Sequence, residues 1–183
     1  MAQMSVKELL ATVEKLVPSK DYPHDKAIII ALKEAVAAAV EGNFGVGAVM
    51  VRGEGGIVQR GHNHVFAPYF RSDLHAEMDV LTKLEEQNRT SHSVEGMTLF
   101  SSLEPCPMCL GRLIIAGIRE VYYAAPDEDG GMVNRFDMLP PAVKDMAKRQ
   151  KFAKAKCSPE LSELALKIFN STADKNNNRL KSR

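Results

Sequence analysis

The hydrophobic pattern of this chain changes near residue 45, and this change constrains the fold more than any other feature. Before it, apolar residues recur at helical spacing, whereas after it short apolar runs of strand length alternate with helical stretches. The strand-like runs are 45–51, 57–60, 98–103, 121–125 and, more weakly, 151–157. Strands that alternate with helices predict an α/β fold with a mixed, largely parallel sheet and helices on both faces. The glycine-rich segment 53–56 predicts that the first two runs form a hairpin.

Local signals also mark where the helices begin and end. Ser5 and Glu8 form the Ser-x-x-Glu pattern of a capping box, so a first helix is predicted to begin there and to end before Pro18. A second helix, from about residue 23 to 41, is apolar nearly all round and should be buried. Three later helices are predicted: one over 74–84 capped by Ser72 or Asp73, one through Ala116 with Pro105 in its first turn, and one that follows Ser158-Pro159.

Length and composition indicate one globular domain. The chain has 183 residues, of which 45% are hydrophobic and 26% are charged, so it can bury a sizeable core. We predict a single domain over 1–183, with an extra helix within 1–22 and a flexible basic tail over 173–183. The most apolar stretch, 27–40, contains charged residues and is shorter than the ~20 residues of a membrane span. With no secretory signal visible, we expect a cytoplasmic protein that does not bind membranes.

Charge is distributed unevenly along the chain. The formal net charge is +1, but residues 143–156 carry six basic side chains and one acidic one, and residues 173–183 carry four and one. The rest of the chain is therefore net acidic. A polyanionic partner would have to dock on the C-terminal portion, although a solvated helix face and a tail account for the same charges.

The strongest chemical signal is the pair Cys106 and Cys109. A spacing of three residues places both sulfur atoms on one side of a helical turn, and a helix N-terminus stabilises thiolates. His75, 31 residues before Cys106 and at the predicted start of another helix, can supply a third ligand. One imidazole and two thiolates suit a single Zn²⁺ per chain and leave its fourth position open, which is the arrangement of a catalytic zinc that acidifies water.

Glu77 follows His75 by two residues and points to a different side of the turn. A carboxylate placed there suits a proton shuttle rather than a ligand. Taken singly, the cysteine motif is also compatible with a redox pair, with two buried thiols or with a structural zinc site completed by Cys157. Together, His-Ala-Glu followed by Pro-Cys-x-x-Cys is the signature of zinc-dependent base deaminases.

With these motifs the chain resembles the cytidine-deaminase-like superfamily, in the branch of guanine, cytosine and bacterial tRNA adenosine deaminases. The similar segments, within residues 26–130, are Phe44–Val51, Gly61–Asn63, His75–Glu77, Thr98–Gly111 and Val121–Ala125. The resemblance implies a three-layer α/β/α sandwich with a mixed five-stranded sheet, a zinc-dependent deaminase domain and a homodimer. It also implies roles for particular residues. These are zinc ligation by His75, Cys106 and Cys109, proton transfer by Glu77, contacts to the base by Asn63 and the Ala76 N–H, a base pocket lined by Phe44, and a further base contact by Asp127.

The same motifs also indicate which class of substrate the enzyme would deaminate. The sequences Pro-Cys-Pro-Met-Cys-Leu-Gly and Tyr-Tyr-Ala-Ala are most similar to the guanine-deaminase branch, so a small nucleobase or nucleoside of purine salvage is the first expectation. A tRNA-specific adenosine deaminase is the alternative, followed by a cytosine or cytidine deaminase. Ser72-Asp73-Leu74 departs from the Pro-Thr-Ala usual in tRNA deaminases, and the acidic body disfavours RNA. A zinc-stabilised interaction module without catalysis also remains open.

Overall fold

The computed structural model describes residues 4–53, 55–87 and 93–183; Glu54, in the predicted hairpin turn, lies outside them. Six α-helices and five strands follow one another in these ranges, with two short 3₁₀ segments around α5. The elements are α1 (Val6–Glu14), α2 (Asp25–Val40), β1 (Gly47–Arg52), β2 (Gly56–His62), α3 (Ala76–Gln87), β3 (Met97–Leu103), α4 (Pro107–Ile115), β4 (Glu120–Ala125), α5 (Pro141–Met146), β5 (Lys151–Lys154) and α6 (Pro159–Lys181).

The strands form one mixed sheet of five in the order β2-β1-β3-β4-β5, which confirms the predicted fold class. β1 pairs antiparallel with β2 and β3, whereas β4 pairs parallel with β3 and β5. The sheet is therefore half antiparallel, rather than largely parallel. Helices α2 and α6 pack on one face, and α3 packs on the other with α4 beside it, so the sheet is the middle of three layers.

Several helix boundaries differ from the sequence prediction by a few residues. The capping box of α1 is present, but the helix ends at Glu14. α3 begins at Ala76 and is not capped by Ser72 or Asp73, since the Asp73 carboxylate pairs with Arg71 at 2.8 Å. α4 has Cys106 as its N-cap and Pro107 as its first residue, so Pro105 lies outside the helix.

The flexible tail expected over residues 173–183 is a wrong prediction for most of that segment. α6 continues to Lys181, and Ala173 and Asn176 on it are buried. The hydroxyl of Thr172 accepts the Gly45 N–H at 2.9 Å, which joins the helix to the segment before β1. The helix persists because one side of it packs on the core, which offsets a polar sequence of modest helix propensity. Among the described residues, no helix is both long and apolar enough to cross a bilayer.

Gly47 allows α2 to lie directly on the first residue of β1. A β-carbon there would overlap the backbone of Ala31 and Ala35, which cannot move without displacing the helix. Gly111, inside α4, has no atom within 4 Å of the same position.

We predict opposite effects for alanine at these two glycines. Gly47→Ala should lower the free energy of unfolding by about 1–3 kcal/mol or more, because the core would be overpacked. Gly111→Ala should raise it by about 0.5–1 kcal/mol, because alanine loses less conformational entropy in a helix. Urea denaturation of both variants measures these changes, and a neutral Gly47→Ala would contradict the close approach of α2 to β1.

Candidate active site

Two helix N-termini meet beside the C-terminal end of β3 and bring the predicted metal ligands together. His75 lies immediately before α3, and Cys106 and Cys109 lie at the start of α4. The Nδ1 atom of His75 is 3.6 Å from the sulfur of Cys106 and 3.6 Å from that of Cys109. Over the described ranges these three ligand atoms form a group within 4.8 Å of one another, which Cys157 does not join.

Hydrogen bonds and charges within this group favour the thiolate form of Cys106 and the protonated forms of His75 and Cys109. The pKa of Cys106 is lowered to about 4, chiefly by a hydrogen bond with Cys109 and also by His75, against the opposing effect of burial. Burial is the largest single effect and lowers the pKa of His75, but the hydrogen bond with Cys106 and the nearby negative charges together outweigh it, so the net pKa is raised. The hydrogen bond to Cys106, together with burial, raises the pKa of Cys109. Two sulfur atoms and one imidazole nitrogen at this separation fit a zinc ion, which replaces the shared protons.

Glu77 is buried beside the three ligand atoms, with only 3% of its surface exposed. Its Oε1 accepts the Ser101 hydroxyl at 3.3 Å, and its Oε2 accepts the Cys109 thiol at 3.4 Å. Burial, followed by the negative charge of Cys106, raises the pKa of the Glu77 carboxyl group. The side chain is therefore held in one place, and its raised pKa favours the protonated form more than in a solvated glutamate.

A cavity of about 210 Å³ opens onto this cluster. It is lined by seven of the eight residues predicted for the site: Phe44, Asn63, His75, Glu77, Cys106, Cys109 and Asp127. The eighth, Ala76, is buried at the first position of α3 between two lining residues. Its N–H belongs to the first turn of the helix, where backbone N–H groups have no helical acceptor.

The residues expected to contact a base are oriented by their neighbours. Asn63 Oδ1 accepts the Val65 N–H at 3.1 Å, which leaves the Nδ2 group as the donor that can face the cavity. The ring of Phe44 lies 5.9 Å from that of Phe66 and 6.4 Å from that of Phe169, so it forms part of an apolar wall. The cavity therefore combines an apolar side with polar groups, as base-binding sites do.

Asp127 reaches the cavity but also holds its own loop. Its Oδ1 accepts the N–H groups of Asp129 at 3.2 Å and Gly130 at 3.0 Å, in the manner of an Asx turn. Half of the carboxylate is thus engaged in local structure. The carboxylate can act on a substrate only through its other oxygen.

Sequence reasoning missed Glu104, a buried residue of the cavity wall. Its carboxylate accepts the Asp127 N–H at 3.1 Å, the Asn134 N–H at 2.8 Å and the Asn134 side-chain amide at 2.9 Å. Glu104 therefore fixes the loop after β4 against the start of α4. The signal was present in the sequence, since an acidic residue directly before Pro105 follows a buried strand.

The sequence analysis also missed that α6 forms one wall of the cavity, through Phe169, Asn177 and Leu180. The spacing of Phe169, Ala173, Asn176 and Leu180 is helical, and it would have revealed the continuation of α6. Polar asparagines at these positions hid the pattern from a reading of apolar residues alone.

Comparison with known proteins agrees with this geometry. The family model described as "Cytidine and deoxycytidylate deaminase zinc-binding region" matches residues 22–125. A tRNA-specific adenosine deaminase of Aquifex aeolicus is 34% identical over 143 residues, which cover 77% of this chain and 93% of the relative. A guanine deaminase of Bacillus subtilis is 37% identical over 103 residues, which cover 54% of this chain and 64% of the relative.

A solved structure from a study of A-to-I editing by tRNA:A34 deaminases at the wobble position of transfer RNA superposes with a TM-score of 0.65. It is 27% identical in sequence, and the match covers 78% of this chain and 98% of that one. The fold and the donor set thus define a zinc-dependent hydrolytic deaminase of nucleobases or nucleosides. The chain belongs to the cytidine and deoxycytidylate deaminase zinc-binding family.

We predict that Glu104→Gln lowers the free energy of unfolding by about 1.5–3 kcal/mol, because three hydrogen bonds to a buried carboxylate are weakened. Asp137→Asn is the matched control, since Asp137 is exposed on the segment that Glu104 anchors. Urea denaturation measures both variants. Equal stability of Glu104→Gln and the unmodified protein would contradict the anchoring role.

Proposed function

We propose that His75, Cys106 and Cys109 hold the zinc ion and that Glu77 transfers the protons of a hydrolytic deamination. The support is the 3.6 Å approach of both sulfur atoms to one imidazole nitrogen, with a buried carboxylate in hydrogen-bond contact with one of the thiols. A zinc ion with three protein ligands supplies a Lewis acid that lowers the pKa of water at its open position.

The protein groups then have distinct tasks. Glu77 takes a proton from the attacking water and delivers it to the ring nitrogen of the base. It then takes the second proton from the hydroxyl group added to the ring carbon and gives it to the amine, which departs as ammonia and leaves a carbonyl. Ser101 holds one oxygen of Glu77 in position. The Ala76 N–H and the Asn63 amide donate hydrogen bonds to the edge of the base, and Phe44 packs against its ring. Asp127 contacts the base through its free carboxylate oxygen.

Replacing Glu77 with glutamine tests this proposal. Glu77→Gln should lower ammonia release by about 10²–10⁴-fold, because glutamine cannot carry the proton. The zinc content should remain unchanged, because Glu77 is not proposed as a ligand. Glu86→Gln, an exposed change on the same helix, serves as the control.

The two readouts separate the alternatives. Unaltered turnover in Glu77→Gln would exclude the proton-shuttle role, and a chain that binds zinc but releases no ammonia from any base would be an interaction module. His75→Ala should lose the ion and the activity together. Retention of stoichiometric zinc by His75→Ala would overturn the proposed ligand set.

For the substrate, we propose adenosine in RNA, as in tRNA-specific adenosine deaminases. The observation that carries this proposal is the 34% identity to such an enzyme across 93% of its length. Guanine deaminase, the first expectation from the sequence, is matched over a smaller part of both chains.

The surroundings of the cavity offer a second reason for this proposal. Arg179 lies 3.7 Å above the ring of Phe66, and Arg183 lies 3.3 Å above that of Phe70. We call these four residues the aromatic–arginine surface. It adjoins the cavity, since Phe66 neighbours Phe44 and the arginines flank Leu180. Arginine with aromatic rings is the chemistry that binds single-stranded RNA by charge and base stacking.

The basic segment 143–156, considered from the sequence as an RNA-binding region, is less well placed. The side-chain amide of Gln150, within this segment, donates hydrogen bonds to the carbonyl oxygens of Leu113 and Ile118. Lys151 begins β5 and lies opposite Glu120, at the start of β4, in the register of the sheet. The catalytic cavity lies at the other end of β3 and β4, beside Leu103. A strand of RNA bound to Gln150 and its neighbours would lie far from the cavity.

Guanine deamination remains a second candidate for one structural reason. Phe169, Asn177 and Leu180 of α6 form one wall of the cavity, and a site walled in this way suits a small free purine. The homodimer implied by the family resemblance stays a prediction that light scattering in solution can test.

A substrate panel distinguishes the two candidates. Ammonia release should be measured from guanine, adenine, cytosine, their nucleosides and an unmodified tRNA whose anticodon loop contains adenosine. We expect inosine in the tRNA. Rapid turnover of guanine with none on tRNA would reverse the order of the candidates.

Variants of the aromatic–arginine surface sharpen this test. Arg179→Ala and Arg183→Ala should each raise KM for tRNA about tenfold and weaken its salt dependence, because each removes a cation that can pair with a phosphate or stack on a base. Arg149→Gln, an exposed change in segment 143–156, is the control. A larger effect of Arg149→Gln than of Arg179→Ala would place RNA on the other end of the sheet.

A further inference from the structure

A second group of potential ligands lies outside the catalytic cavity. His62 ends β2, His64 follows it after one residue, and Glu41 lies just after the end of α2. Glu41 Oε2 is 3.2 Å from His62 Nε2 and 3.6 Å from His64 Nδ1. In the described part of the chain, these three atoms form a second group within 4.8 Å of one another.

These distances match the edges of a metal coordination polyhedron. Zinc bonds of about 2.0–2.1 Å to imidazole and carboxylate place neighbouring ligand atoms of a tetrahedron about 3.3 Å apart. His62 Nε2 is within hydrogen-bond distance of Glu41, but the 3.6 Å between His64 Nδ1 and Glu41 Oε2 is too long, so a hydrogen bond does not account for the approach of His64.

A carboxylate also faces the other nitrogen of each imidazole, and it is within hydrogen-bond distance for His62 alone. His62 Nδ1 lies 2.9 Å from Glu34 Oε2, and His64 Nε2 lies 3.6 Å from Asp79 Oδ2. Asp79 is itself held by Lys83 Nζ at 2.6 Å. Carboxylates behind the imidazoles orient the ligand nitrogens of metal sites and raise their basicity.

From this geometry we propose that Glu41, His62 and His64 bind a second divalent transition-metal ion such as zinc. Two nitrogens and one oxygen suit zinc, cobalt or nickel rather than calcium or magnesium. The Glu41 side chain is 43% exposed, so the ion can enter from solvent and keep water in its remaining position. It would join the end of α2 to the end of β2 on both sides of Asn63, a residue of the cavity wall.

Metal content measured after equilibrium dialysis against zinc tests the inference. The unmodified protein should hold one equivalent more than His64→Ala or Glu41→Gln, and zinc should raise its melting temperature above that of either variant. Glu34→Gln, which removes only the backing carboxylate, should weaken binding at this site about 10–100-fold. Glu163→Gln, an exposed carboxylate of α6, should behave like the unmodified protein.

His75→Ala keeps the test separate from the catalytic metal, because it should retain the second ion while losing the first. Cobalt substitution adds a spectroscopic readout: the second site should add visible absorption without further sulfur-to-cobalt charge transfer. A protein that binds no more metal than His64→Ala would overturn the inference and leave the proposed function intact. In that case Glu34 and Glu41 would serve only as hydrogen-bond partners of the two nitrogens of His62.

Discussion

The meeting of two helix N-termini at one end of the sheet is the constraint on which the rest of the site depends. Unpaired N–H groups at the start of α4 favour a thiolate at Cys106, and the start of α3 brings His75 within 3.6 Å of it. β3 leads directly into Cys106, so the sheet fixes the position of the sulfur atoms. Glu77, in the first turn of α3, then has no freedom to lie elsewhere.

Two buried glutamates beside this centre, Glu77 and Glu104, have different hydrogen-bond partners. Glu104 accepts three hydrogen bonds and anchors the segment after β4. Glu77 does not anchor a loop in this way, so its carboxylate is available for proton transfer. Both residues are glutamates with 3% of their surface exposed, but their hydrogen-bond partners differ. Burial alone therefore does not separate an anchoring carboxylate from one that is available for proton transfer, whereas the hydrogen-bond partners do.

Short-range patterns were predictable, and interactions between distant segments were not. The capping box at Ser5, the Cys-x-x-Cys turn and the apolar strands follow from residues close in sequence, so their positions could be predicted within a few residues. The start of α3 was misplaced, because Arg71 captures the carboxylate of Asp73 that would otherwise cap the helix. The end of α6 was missed because its polar residues become helical only by packing on the core.

The sequence by itself determined the chemistry: a histidine, two cysteines and a glutamate whose spacing admits a zinc-dependent deaminase. Tertiary structure alone decided what surrounds that chemistry. It placed α6 along the cavity and the aromatic–arginine surface beside it, and it brought Glu41 to the two histidines after β2. The physical reason is that a local spacing fixes which atoms share one turn, whereas contacts between separate helices and strands depend on how the whole core packs.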